Sequence, residues 1–187
     1  MAGVALDGCP PDADAPDVAP ASVPATQVVL GATNLLMGPT NFGNLELPEP
    51  WRLMPGVSPP EVDRSRDWGG SGWVTAGSAD YILRRAEPLL HVELHLRIAP
   101  WASSGRRPAP PPSIPADAGM VELNGHEARL WRGSGTRGLL PRRTVHWARA
   151  WIPCQHTGRV LSVELVGACG ATEIDALVPV VEHLGCH

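Results

Sequence analysis

Between Leu90 and Ile98 apolar and polar residues alternate without a break, with Leu90, Val92, Leu94, Leu96 and Ile98 set against His91, Glu93, His95 and Arg97. A period of two turns one set toward a core and the other toward water, which predicts a half-buried strand. The same period runs through "RVLSVELVG", where Leu161, Val163 and Leu165 alternate with Ser162 and Glu164. "TVHWARAWI" supplies a partner strand across the turn "PCQHTG", and alternation groups its Val145, Trp147, Arg149 and Trp151 on one face, a candidate core set. "MVELNGHEARLW" predicts a hairpin. Its Asn124-Gly125 pair accepts the positive φ angles that two-residue turns demand, so Leu123 should face His126 and Val121 should face Ala128. "SGWVTAG" and "DYILRRA" predict two further short strands.

The pattern changes only near the end. In "ATEIDALVPVVEHLG" the apolar residues Ile174, Leu177, Val178, Val181 and Leu184 fall at helical spacing, with Thr172 as the expected N-cap and Gly185 as the expected C-cap. Pro179 removes a backbone donor from the middle of that run and should kink or split it. Two stretches show no apolar period. Residues 1–25 are rich in Pro, Ala and Asp and predict a disordered tail. Residues 99–119 form a Pro-rich loop expected to stand outside the core. The expected organisation is that tail followed by one domain over residues 26–187. Its class is α+β: a predominantly antiparallel sheet with the C-terminal helix packed on one face.

Composition supports this reading. Among 187 residues there are 21 prolines and 20 glycines, which argues against a mainly helical protein, while 43% hydrophobic residues suffice for a core. All 15 basic residues are arginine. The net charge of −4 conceals a division, because residues 1–25 hold four aspartates and no cation, whereas residues 125–151 hold six arginines and one acid, Glu127. No stretch approaches the ~20 apolar residues of a membrane span, and the N-terminus lacks the features of a secretory signal, so a cytoplasmic location is expected.

Candidate chemistry collects in two short Cys/His knots, Cys154 with His156 and Cys186 with His187. If the strand ending at Cys154 runs up, the next runs down and a helix packed back on the sheet runs up again. That path brings Cys186 to the same end as Cys154. Three outcomes stay open: a disulfide, which needs Cα atoms within about 7 Å; a zinc site of Cys154, His156, Cys186 and His187, with unusual ligand spacings; or two free thiols. Cys9 and Cys169 have no evident partner. His91, Glu93 and His95 share one strand face and are a second metal candidate, set against the more ordinary reading of a solvated face. Arg132, Arg137, Arg142 and Arg143, near Trp131, Trp147 and Trp151, could engage a polyanion or single-stranded nucleic acid. "RGSGTRG", residues 132–138, lacks the phosphate-loop pattern and predicts a mobile connection between strands. Zinc is the one cofactor these residues suggest.

From about Leu45 onward the order of features resembles the PsbP/Mog1-like superfamily: "LPEPWRL" at Leu47–Leu53, the hairpin "VELNGHEA" at Val121–Ala128, the strand pair "CQHTGRVLSVEL" and a terminal helix. The Pro-rich loop, Pro179 and the cysteines depart from that pattern. The resemblance implies an α/β sandwich acting as an accessory or partner-binding module, and it transfers no catalytic residue. The function expected from the sequence is a non-enzymatic binding or accessory module with a protein partner. The alternatives are a small Cys/His zinc protein or metal-dependent enzyme, and a polyanion-binding protein.

Overall fold

The alternating run becomes an inner strand of the main sheet, β6 (Leu90–Pro100). Its odd members are exposed or half-buried, while Val92, Leu94, Leu96 and Ile98 are buried. The computed structural model describes residues 25–34, 38–62, 73–74, 76–101, 107–139 and 142–187, and side chains are not considered over 32–39. The expected disordered tail, apart from Ala25, lies outside the described residues.

Around β6 the sheet is antiparallel throughout. It comprises β3 (Arg52–Pro55), β4 (Glu61–Val62), β5 (Gly77–Arg85), β6, β7 (Gly119–Leu123), β8 (His126–Arg137), β9 (Arg143–Cys154) and β10 (Arg159–Gly167). Their order is β3-β5-β6-β10-β9-β8-β7, with β4 also on β5. Strands β7 to β10 form a meander, and β10 then closes against β6, placing Val163 opposite Leu96. The hairpin expected at Asn124-Gly125 is present with the expected register, Leu123 to His126 and Val121 to Ala128. Asn124 and Gly125 both adopt positive φ, 46° and 79°, which matches the right-handed twist of the strands they join.

A second layer covers the inner face. Strands β1 (Ala25–Asn34) and β2 (Gly38–Pro48) pair as a separate hairpin, and the C-terminal helical run packs beside it. Leu30, Phe42, Leu45 and Leu47 from that hairpin join Leu83, Leu94, Leu96, Leu161, Leu165 and Ile152 from the sheet in one core. At about 25 cal/mol per Å² of apolar surface, this shared burial is the main force holding the two layers together. The fold is α+β.

Pro179 splits the terminal helix as expected, into α1 (Ala171–Asp175) and α2 (Val178–Glu182), with the proline in the first turn of α2, where a missing N–H leaves no bond unmade. The expected caps are different. Gly170, not Thr172, is the N-cap of α1, and no side chain caps it. His183, not Gly185, caps α2. Gly185 instead forms a two-way backbone bridge with Asn44 of β2, with N–O distances of 2.7 and 3.1 Å. A side chain at this position would meet the Asn44 side-chain amide, which would have to turn aside to admit it.

Three other expectations need correction. Residues 132–137 are not a mobile connection, because β8 continues through them in register with β9, Arg137 facing Arg143. Of "SGWVTAG", the described residues before Gly77 form no regular strand: Trp73 makes one isolated bridge to Asn41, and β5 starts at Gly77. Within the Pro-rich loop, Ala99 and Pro100 belong to β6 and Gly119 to β7, while Ala118 is buried and its carbonyl accepts a hydrogen bond from Arg129 Nη1 at 3.1 Å. The loop's described part therefore leans on the sheet.

Candidate metal and thiol centre

The two knots meet. Cys154, the last residue of β9, and Cys186 stand at disulfide distance with Cα atoms 6.4 Å apart, and both are fully buried. The up–down–up path of β9, β10 and the helical run accounts for this proximity. Two local devices then fix the final position of Cys186. One is the Gly185–Asn44 bridge. The other is Arg159, which faces Cys154 across the β9–β10 ladder and is wholly buried. Its guanidinium donates to the carbonyls of Cys186 and Val74 and lies over the Trp73 ring. A buried cation needs such a cradle of acceptors, and here the cradle ties the chain end to the sheet.

A residue outside the two knots completes the centre. His126, the first residue of β8, is buried, and its Nε2 lies 3.2 Å from the Cys186 sulfur. Nδ1 of the exposed His187 lies 3.4 Å from the Cys186 sulfur and 3.8 Å from that of Cys154. His126, Cys154, Cys186 and His187 each present one ligand atom, all within 4.8 Å of one another, the only such group of His, Cys, Asp and Glu among the described residues. His156, expected in this set, sits in the exposed turn just beside it, its ring centroid 4.6 Å from that of His187 and 6.0 Å from that of His126. Burial, followed by the neighbouring His187 and His156, holds the His126 pKa below the usual histidine value. A neutral imidazole keeps a lone pair available at this depth. An open cavity of about 560 Å³ borders the centre, lined in part by His126, His156, Gln155 and Glu122.

The role of His126 was hidden because it depends on a register three strands wide. Arg129 faces Trp151 on the neighbouring strand. Continuing that antiparallel register three residues further on each strand sets His126 opposite Cys154. The Asn-Gly turn had already placed His126 at the start of β8, so the signal existed once the partner of β8 was known.

The other candidate sets are not assembled in this way. His95 holds Asp80 through Nδ1 at 2.8 Å and Glu93 through Nε2 at 3.1 Å, and Glu93 in turn accepts from Arg137 at 2.8 Å. That chain of charges occupies the outer sheet face, and His91 is exposed opposite Arg84, away from it. Of the four arginines, Arg132 pairs with Asp175 at 2.8 Å and Arg137 with Glu93, while Arg142 and Arg143 are exposed and make no ion pair with a described residue. Trp147 and Trp151 lie on the outer face, whereas the core face of β9 consists of Ala148, Ala150, Ile152 and Cys154. Trp151 is nevertheless buried. Cys169 is a half-buried free thiol whose pKa is pushed up by burial, and Cys9 lies outside the described residues. No helix of the described residues is long and apolar enough to cross a membrane.

Comparison with protein-family models, curated proteins and solved structures finds no match to this chain.

Proposed function

We propose that this protein is a non-enzymatic binding module whose cargo is a transition-metal ion, held in the reduced chain by Cys154, Cys186, His126 and His187. The observation that carries this reading is the convergence of four soft or borderline ligand atoms within 4.8 Å, three of their residues buried. Two thiolates and two imidazole nitrogens suit tetrahedral Zn²⁺, with bonds of about 2.3 Å to sulfur and 2.0–2.1 Å to nitrogen. Thiolates sharing such an ion stand about 3.8 Å apart, so reduction has to open the sulfur pair only modestly. His126 and His187 already point their ring nitrogens at the sulfurs. The resemblance to PsbP/Mog1-like accessory modules supports a carrier or adaptor role with a protein partner. A cytoplasmic location belongs to the same reading, because a reducing compartment keeps both thiols free for metal.

The test is metal content. Protein purified with reductant and without chelator is expected to carry about one zinc per chain, with the ion lost when His126 is replaced by Ala or Cys154 by Ser. If fully reduced wild-type protein supplied with Zn²⁺ loses it to a weak chelator as readily as the Cys154→Ser variant does, the proposal fails.

A further inference from the structure

We infer that His126, His156 and His187 form a three-imidazole site for a divalent transition-metal ion, a site that persists when Cys154 and Cys186 are joined as a disulfide. The inference extends the metal-binding reading to the oxidised chain and does not use the thiolates.

The rings approach from three separate parts of the fold: the start of β8, the β9–β10 turn and the residue after Cys186. Their centroids are 6.0, 5.5 and 4.6 Å apart. Three imidazoles sharing one tetrahedral ion at a metal–nitrogen distance of about 2.0–2.1 Å have centroids roughly 5 Å apart, so the centroid spacing suits such an ion, while the rings, inclined at 38° to 85° to one another, must each turn to aim a nitrogen at it. Among the described residues no acid pairs with any of the three rings. The ion pairs that histidines do form lie elsewhere, at His95. A cation held between the rings therefore answers the clustering better than an internal salt bridge. His126 is buried while His156 and His187 are exposed, so the triangle has a closed floor and an open mouth. Two of its members, His126 and His156, also line the 560 Å³ cavity. Three protein nitrogens leave a fourth coordination position for water or a small ligand from that side.

The two modes interconvert by thiol–disulfide exchange with a low-molecular-weight disulfide. One protein thiolate attacks it, forming a mixed disulfide and releasing one thiolate. The second protein thiolate displaces the other thiolate and closes the Cys154–Cys186 bond. Two electrons leave the protein sulfurs and reduce the external disulfide to two thiolates, which take their protons from solvent. The ion loses two sulfur ligands and gains His156. His156 is thus a ligand of the oxidised mode alone, which separates the two readings experimentally.

The full chain would be oxidised with glutathione disulfide, with closure of the Cys154–Cys186 bond verified by mass spectrometry and remaining thiols blocked. Zn²⁺ would then be titrated calorimetrically. One ion should bind per oxidised chain, and His156→Ala and His156→Gln should each weaken that binding by about tenfold or more, while binding to the reduced protein changes by less than about twofold. Because His156 is in an exposed turn, both variants should keep the wild-type circular dichroism spectrum. Oxidised wild-type protein that binds no ion, or binds it equally with and without His156, overturns this inference and leaves the thiolate site standing. Loss of binding in the reduced wild-type protein would overturn the thiolate reading instead.

Discussion

At the scale of single residues, the protein isolates one titration unusually well. Tyr81 is the only tyrosine in the chain, is buried, and donates its hydroxyl to the Gly31 carbonyl at 3.4 Å. Burial pushes its pKa up to about 12. The folded state therefore keeps the phenol proton in a pH range where an unfolded chain, near pKa ~10, has released it. Stability from this group is complete below about pH 10 and is lost as pH rises toward 12. Absorbance at 295 nm should show tyrosinate forming about two pH units later in native than in urea-unfolded protein. A native transition near pH 10 would contradict the buried placement.

Among the elements, legibility followed the locality of the cause. The alternation of β6 and the Asn-Gly turn act over a few residues, so strand, register and turn could be read directly. The meeting of Cys154 and Cys186 was also readable, since three consecutive elements determine it. Neither β1 nor β2 was, because "TNFGN" in β2 carries turn-prone residues and pairs through a register irregularity between Leu30 and Gly31. The extent of β8 was hidden for a similar reason. Gly133 and Gly135 suggest a loop, yet they face Trp147 and Val145 in the ladder, the first leaving room for the Trp147 ring. At the C-terminal helical run, the sequence pointed to a kink or split at Pro179, and the split is what forms. In the structure the proline begins a new helix at a position that suits it. Replacing Pro179 with Ala should therefore lower stability, by about 0.4–1 kcal/mol, through the freer unfolded chain. Urea unfolding would check the sign. A proline that strained a continuous helix would give a gain in both stability and helical signal instead.

For the whole molecule, the Cys154–Cys186 pair, when oxidised, links the terminal segment covalently to the sheet. Its partners are 32 residues apart, and a closed loop of that size is worth roughly 3–4 kcal/mol in the chain-entropy model. Cys186→Ser should lower the melting temperature by several degrees under oxidising, metal-free conditions, given about 2–4 °C per kcal/mol for a domain of this length. With reductant and chelator present, the variant and wild type should melt together within about a degree or two. Equal melting under oxidising conditions would mean that the pair does not close. The order of strands has a further consequence, for the timing of folding. β7 to β10 join neighbours in sequence and can zip together locally, but β6 must wait for β10, with Leu96 meeting Val163 only after the intervening chain has been brought round. Such non-local closure is slow, on the order of milliseconds to seconds. During that interval the β8–β9 hairpin, paired from Arg129 and Trp151 to Arg137 and Arg143, already brings the start of β8 and the end of β9 to one end of the sheet. On the metal-binding reading proposed above, two of the four ligands, His126 and Cys154, then belong to an element that forms before the domain is complete, and an ion held there would act on the route to the native state as well as on its final stability.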